Sequence, residues 1–412
     1  MTYRLIMLAA LYIPLVGLTW INQRSVFAQG IGEATYDNGA YLPFFAYCMA
    51  FTLGLIATEL IPGVRSLFAG PKRDLPAFGA TAALAIAALT PMAMFVLFGL
   101  GGFQTLTEGV TAGAFRSGLG GGGAFGYLIL KYYSPVVVCI LLLVARDHGR
   151  LFSWPVPVVL ALHIIIAMSF GYKSALVMCM LPPCILLFWN TSVRRLVALA
   201  GVGFVFLYAA YTFMRPSDQV AMSPIEAIAY RTFVLNSEVP WKIWNLYHHE
   251  GVELPSYIST LPALLGDRAL TLMTGVSRAD PEAWAATHFS VMMTHLSGYP
   301  IEYIIEQGHN NAANIFSEGL MAAGFVGALA YGFAAGALAN ILCYAIQNRL
   351  EARDYGAAAV GSSYFLFAFI AWMLGGGVAE IFHVAVIFGA GTAFVGARIM
   401  SVMTGYLERR RS

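Results

Sequence analysis

The sequence predicts an all-α polytopic membrane protein of about ten transmembrane helices with one large external loop. Three observations carry this. Of the 412 residues, 59% are hydrophobic and 11% charged, with a mean hydropathy of +0.72, whereas a soluble domain is about a quarter charged. The apolar residues fall in runs of about 20, the length that crosses a bilayer. Basic residues gather in alternate short loops, as they do on a cytoplasmic face.

Taken in order, the spans are 4–21, 39–62, 77–101, 124–145, 154–171, 174–189, 196–214, 320–346, 355–376 and 381–400. The first begins at once and lacks a small-residue cleavage site, so it reads as a retained span and not a signal peptide. The fifth and sixth are divided only by a short break in "SFGYKSALVMCMLPP". Arg65, Lys72 and Arg73 lie in one short loop; Arg146 and Arg150, Arg194 and Arg195, and Arg349 and Arg353 lie in others, and the tail ends "ERRRS". Alternation puts all five on one side, so both termini are expected inside. The chain then divides into spans one to seven (1–214), an external loop (215–319), and spans eight to ten with a cytoplasmic tail (320–412).

The composition also excludes some classes. The formal charge is +2 with no basic block, which argues against nucleic acid. Cys48, Cys139, Cys179, Cys184 and Cys343 lie in apolar runs, so no disulfide framework is implied. His248, His249, His288 and His295 lack metal-ligand spacing, and no metal or cofactor is expected. "SGLGGGGAFG" lacks the Lys-Ser/Thr of a phosphate-binding loop and reads as an external turn.

Within the external loop, "SPIEAIAYRTFVLNSE" suits a helix after a Ser-Pro start. "PWKIWNLYHHEG" and "PEAWAATHFSVMMTHLSG" read as short amphipathic helices that lie at the interface or cap a cavity. Between the last two spans, "GGGVAEIFH" places Glu380 and His383 near the outer surface.

"EQGHNNAANIFSEG", residues 306–319, is the most polar entry to any span. In a helix from residue 311, Asn311, Asn314, Ser317 or Glu318 and Met321 share a face. His309 and Asn310 stand at its start. Continued to residue 346, the helix is about 54 Å long against a hydrocarbon core of about 30 Å. Its first turns are therefore expected above the core or lining a wet vestibule, with Gly319, Gly324, Gly327, Gly332 and Gly336 as a packing surface below. Polar groups so near a bilayer are costly unless paired and mark function. Arg215, in "YTFMRP", and Arg231, in "IAYRTF" with Glu238 two turns later, supply planar forks suited to phosphate just outside the membrane.

At "GHNNAANIFSEGLMAAGFVGALAYG" the chain resembles the bacterial O-antigen polymerases, the Wzy-type repeat-unit polymerases, and their relatives the O-antigen ligases. Those families carry a His and a small polar residue at the outer end of a late span. A Glu and a "GFxG"-like pair follow, here Glu318 and Gly324-Phe325-Val326-Gly327. A large external loop precedes that span. The spacer here is about one helical turn longer than the ligase pattern, which favours polymerase. The Arg-then-distant-Gly repeats of some polymerases are absent around Arg215 and Arg231.

The resemblance implies a GT-C-like architecture in the bacterial inner membrane, with a metal-independent site facing the periplasm. Its substrates would be undecaprenyl-diphosphate-linked oligosaccharides as donor and acceptor, with a chain-length regulator as a partner protein. Arg215 and Arg231 would neutralise the diphosphate. His309 would be the general base, with Glu318 orienting it or acting as base itself. Asn310, Asn311, Asn314 and Glu238 would hold substrate. The rivals are a ligase, a lipid-linked oligosaccharide or solute transporter, which usually shows two related halves, and a surface-glycan O-acyltransferase.

Overall fold

The structure is a computed structural model. It describes all residues except 1, 26–35, 67, 108–119, 171–172, 190–191, 193, 196, 199, 202–203, 206–207, 209–222, 252–256, 278, 308–313 and 410–412. The elements among the described residues are helical, with no strand. Seven helices are long and apolar enough to cross a membrane: Tyr3–Asn22, Tyr41–Leu60, Phe78–Gly99, Phe125–Asp147, Asn314–Glu351, Tyr355–Gly375 and Val384–Leu407. The chain is an all-α polytopic membrane protein. The expected fifth and sixth spans are helices of 15 residues each, Pro155–Ser169 and Lys173–Leu187. The expected seventh falls largely outside the described residues. The chain forms two compact units.

Unit 1 comprises residues 1–60, 190–340 and 370–383. It opens with α1 (Thr2–Asn22) and α2 (Tyr41–Leu60). The loop between the first and second halves of the chain then supplies α3 (Pro224–Ala229), a π turn (Tyr230–Val234) and α4 (Leu235–His248) as one continuous run. Ser223 starts that run by a reciprocal cap: its side chain accepts from the Glu226 N–H, and the Glu226 carboxylate accepts from the Ser223 N–H at 2.7 Å. That backbone bond holds the exposed Glu226 carboxyl below its ordinary range.

The expected amphipathic pattern of α4 is not what the structure uses. Ser237 through Trp244 are all buried, because the run lies against α1 and not along a surface. Gly17 permits the crossing, since a Cβ there would collide with the Phe233 carbonyl and the Ser237 hydroxyl. Ser237 Oγ reaches the Pro14 carbonyl at 2.7 Å, and Trp241 Nε1 donates to Asn22 Oδ1 at 3.0 Å. Four short helices follow: α5 (Asp267–Thr274), α6 (Pro281–Thr287), α7 (Phe289–Leu296) and α8 (Ile301–Gln307). They share a small core of Leu270, Trp284, Ala285, Val291, Ile301 and Ile304.

The next element, α9 (Asn314–Glu351), is the one the sequence reading takes as a single straight rod. It is broken at Ala323 (φ −158, ψ 37) and Gly324 (φ 62, ψ −154). The Gly324 angles lie in a region essentially reserved for glycine. The chain folds back there, so that Gly319 meets Gly327 and Ala328 with no room for a Cβ. Beyond the break, Gly332 and Gly336 lie where a Cβ would crowd Tyr47 and Phe51 of α2, and Gly54 of α2 likewise faces Phe333. Asn340 Nδ2 donates to the Leu55 carbonyl at 3.0 Å and to Thr58 Oγ1 at 2.8 Å. The small residues thus pack helices closely, as expected, but Gly319, Gly324 and Gly327 serve a turn.

Unit 2 comprises residues 61–189, 341–369 and 384–412. Its buried centre is Ser134–Asp147, in which every residue from Ser134 to Ala145 is buried. The tract Gly120–Leu128 ahead of it is helical and not an external turn. Gly126 explains part of this, since a Cβ there would press on Leu100 and Phe170. Two of the basic loops converge in this unit: Asp354 pairs with Arg73, Arg349 and Arg398.

Candidate functional site

Of the sequence-derived candidates, His309, Asn310, Asn311 and Arg215 lie outside the described residues. Arg231 is placed as backbone only, in the π turn between α3 and α4. Asn314, Glu318 and Glu238 are described, and all three belong to unit 1.

Asn314 opens α9 with a left-handed φ of 48. Its Oδ1 accepts the Ser317 N–H at 3.2 Å, the bond of a helix cap. The sequence reading expects a wet face here; the structure buries it, with Asn314 at 4% exposure and Ser317 and Glu318 at 0%. Phe316 between them fits among Phe44, Tyr47 and Trp244 at ring distances of 5.2 to 6.3 Å. The aromatic packing removes this turn from solvent.

Glu318 is held by the link that joins the last two spans. Trp372 Nε1 donates to Oε2 at 2.7 Å, the Gly377 N–H donates to Oε2 at 2.9 Å, and the Val378 N–H donates to Oε1 at 2.9 Å. Three donors satisfy both oxygens of the buried carboxylate. The cradle depends on Gly376 (φ 65) and Gly377 (φ 82). At Gly376 a Cβ would also meet the Asn314 carbonyl oxygen at 2.7 Å. Sequence reasoning saw "GGGVAEIFH" as a link but had no signal for Trp372.

Glu238 is fully buried on α4 beside Lys242, whose Nζ lies 3.3 Å from Glu238 Oε1 and donates to the Ser297 carbonyl at 2.6 Å. Tyr299 Oη lies 3.5 Å from the same carboxylate oxygen. The pair ties α4 to the end of α7.

A small cavity joins these elements. It is lined by Leu11 and Pro14 of α1, Tyr47 of α2, Asn236 of α4, Asn314 of α9 and Met373, and holds about 10 Å³, room for roughly one water. Asn314 Nδ2 and Ser317 Oγ are buried without a hydrogen-bond partner among the described residues. Unpaired buried polar groups are rare and call for an explanation. Among the described residues no group of three or more His, Cys, Asp or Glu is placed to hold a metal. Comparison with protein-family models, curated proteins and solved structures yields no match.

Proposed function

We propose that the protein is a metal-independent glycosyltransferase that polymerises undecaprenyl-diphosphate-linked oligosaccharide repeat units at the periplasmic face of the bacterial inner membrane. The observation that supports this is the cavity shared by Asn236 and Asn314. Arg231 lies five residues before Asn236, and His309 lies five residues before Asn314. The helices that follow these two positions, α4 and α9, meet at this cavity, against the spans α1 and α2.

In this reading His309 takes the proton from an attacking sugar hydroxyl. Arg231 and Arg215 stabilise the departing diphosphate without a metal. Asn310 and Asn311 hold sugar hydroxyls. Glu318 and Asn314 act as positioning residues: both are buried, and the adjoining cavity is too small for a sugar. Glu318 fixes the start of α9. Glu238 with Lys242 fixes α4, which continues from the turn bearing Arg231.

The test is polymerisation of purified lipid-linked repeat units by the full-length protein, with chelator present. Extension by the wild type and none by His309→Ala, with the variant still binding the glycolipid, is the expected result. Full activity of His309→Ala would remove this base from the mechanism. A transporter remains the second reading, favoured by the break in α9, because broken helices build many transport sites. Glycolipids from a deletion strain separate the two: single repeat units exposed at the periplasmic face indicate a polymerase, and units retained at the cytoplasmic face indicate a transporter.

A further inference from the structure

Unit 2 carries a second, unrelated feature. Its last helix, α10 (Val384–Arg409), runs beside Phe78–Met94 and Ser134–Asp147. Between these helices lies an apolar groove of about 530 Å³, lined by Ala88, Met92, Val137, Ile140, Gly396 and Met400 among others. That volume is within the roughly 300–1,000 Å³ typical of small-ligand sites. Along α10 the lining runs from Thr392 to Met403, about 16 Å at 1.5 Å per residue. This is about half of the roughly 30 Å hydrocarbon core, the depth of one leaflet.

A polar pocket flanks the second half of the groove, with Ile140, Ala397 and Met400 common to both. The pocket is lined by Arg73, Arg353, Arg398, Asp74, Asp354 and Ser401, among others. Arg73 and Arg398 each approach Asp354 Oδ2 at 3.1 Å, and Arg349 does so at 3.6 Å. Their side chains keep 39%, 35% and 33% of their surface open, while Asp354 keeps 3%. Three guanidinium groups, of Arg73, Arg353 and Arg398, thus line the pocket with two carboxylates, Asp354 and Asp74, leaving a surplus of one positive charge. Arg353 has no carboxylate within ion-pair distance among the described residues. Arg73, Arg349 and Arg353 belong to the loops that the charge bias assigns to the cytoplasm, and Arg398 lies near the end of α10.

We propose that this groove binds a glycerophospholipid with an anionic headgroup: its phosphate rests on Arg353, Arg398 and Ser401, and one acyl chain lies along α10. Charge and shape agree on this occupant. Arginine forks match phosphate oxygens, basic pockets between cytoplasmic helix ends are where anionic headgroups bind, and the apolar groove beside the pocket is one leaflet long. A soluble anion would leave the channel unused, and a neutral lipid would leave the charge unmatched.

The experiment uses the full-length protein in detergent, delipidated and then titrated with phosphatidylglycerol or phosphatidylcholine, with bound lipid read by native mass spectrometry. Phosphatidylglycerol should be retained at least several-fold better than phosphatidylcholine. Arg353→Asn removes the charge and keeps a residue that tolerates the left-handed φ of 57 at this position. Gly396→Leu fills the groove at a position where a Cβ meets nothing within 4 Å. Each should cut phosphatidylglycerol retention several-fold while thermal unfolding stays close to wild type. Should Gly396→Leu fail to fold, Arg353→Asn carries the test alone. Equal retention of the two lipids, wild-type retention by the variants, or displacement by millimolar inorganic phosphate would overturn the proposal.

Discussion

Trp372 Nε1 stands 2.7 Å from Glu318 Oε2, 54 positions away in the chain. Both residues are buried, and the bond locks the start of α9 to the link between the last two spans. Glu318→Gln leaves an amide where three N–H donors converge, so one amide N–H must oppose another. The expected loss of stability is about 1–3 kcal/mol for a buried group left unpaired. Trp372→Phe removes one donor and keeps the backbone cradle, so it should cost less. If Glu318 is a positioning residue, Trp372→Phe should keep kcat per folded molecule within a few-fold while lowering Tm. A large fall in kcat with unchanged Tm would instead give the carboxylate a part in the chemistry.

Gly324→Ala tests the break in α9. The backbone there costs roughly 1–3 kcal/mol for a residue with a Cβ, and that Cβ would sit 2.6 Å from Tyr247 Oη. Thermal unfolding of the detergent-solubilised chain should show a clear loss. Gly396→Ala, in open space on a helix, should be neutral or slightly stabilising. Equal behaviour of the two variants would refute the break.

Much of this fold is legible in the sequence. Spans such as Tyr41–Leu60 follow from run length alone, because lipid demands a continuous apolar helix. The break at Ala323–Gly324 is not legible, since "AAGFVG" has the composition of a tight helix crossing and of a turn alike. Burial of Asn314, Ser317 and Glu318 is likewise hidden. Periodicity places them on one face but does not say whether water or Trp372 faces them. The helical Gly120–Gly123 also escapes composition, because glycine has a low helix propensity.

On the proposed function, Arg231→Ala should reduce polymerisation at least tenfold without changing protein level, since it would remove the charge assigned to the diphosphate. Arg231→Lys should rescue only in part, as lysine is a point charge without the planar fork. Rates from purified lipid-linked units measure both. Normal polymer from the alanine variant would take Arg231 out of the mechanism.

Asp354 has two duties, which its substitutions separate. It pairs with three arginines, and its Oδ1 accepts the Ala357 N–H at 3.4 Å at the start of Tyr355–Tyr364. Asp354→Asn keeps the cap and loses the charge; Asp354→Ala loses both. Removing a buried ion partner costs about 3–5 kcal/mol, but exposed pairs contribute about 1 kcal/mol or less, and these arginines are a third open. Asp354→Asn should therefore cost about 1–3 kcal/mol, and Asp354→Ala about 1 kcal/mol more for the cap. The Asn deficit should shrink in 1 M salt. Denaturation at two ionic strengths reads both numbers.

Cysteine labelling tests the orientation. Cys48, Cys139, Cys179 and Cys343 are buried and Cys184 is partly so, which gives a low background in the folded protein. Ser256→Cys should react with an impermeant reagent from the periplasm and Ser412→Cys only after lysis. Labelling of both from one side would eliminate the ten-span arrangement.

The junction of α2 with the later part of α9 sets a timetable for biogenesis. Asn340 and Leu55 are 285 residues apart. At about 5–20 residues per second, the ribosome needs roughly 15–60 s to make that interval. Through that time α2 waits in the bilayer with the surface around Phe51 and Gly54 against lipid, and with its Thr58 hydroxyl turned back on its own backbone. A chain cut short before Asn314 would keep that surface open for good. The glycine seam that closes unit 1 is therefore also a late checkpoint: until it forms, an unfinished molecule presents that face to a membrane quality-control protease.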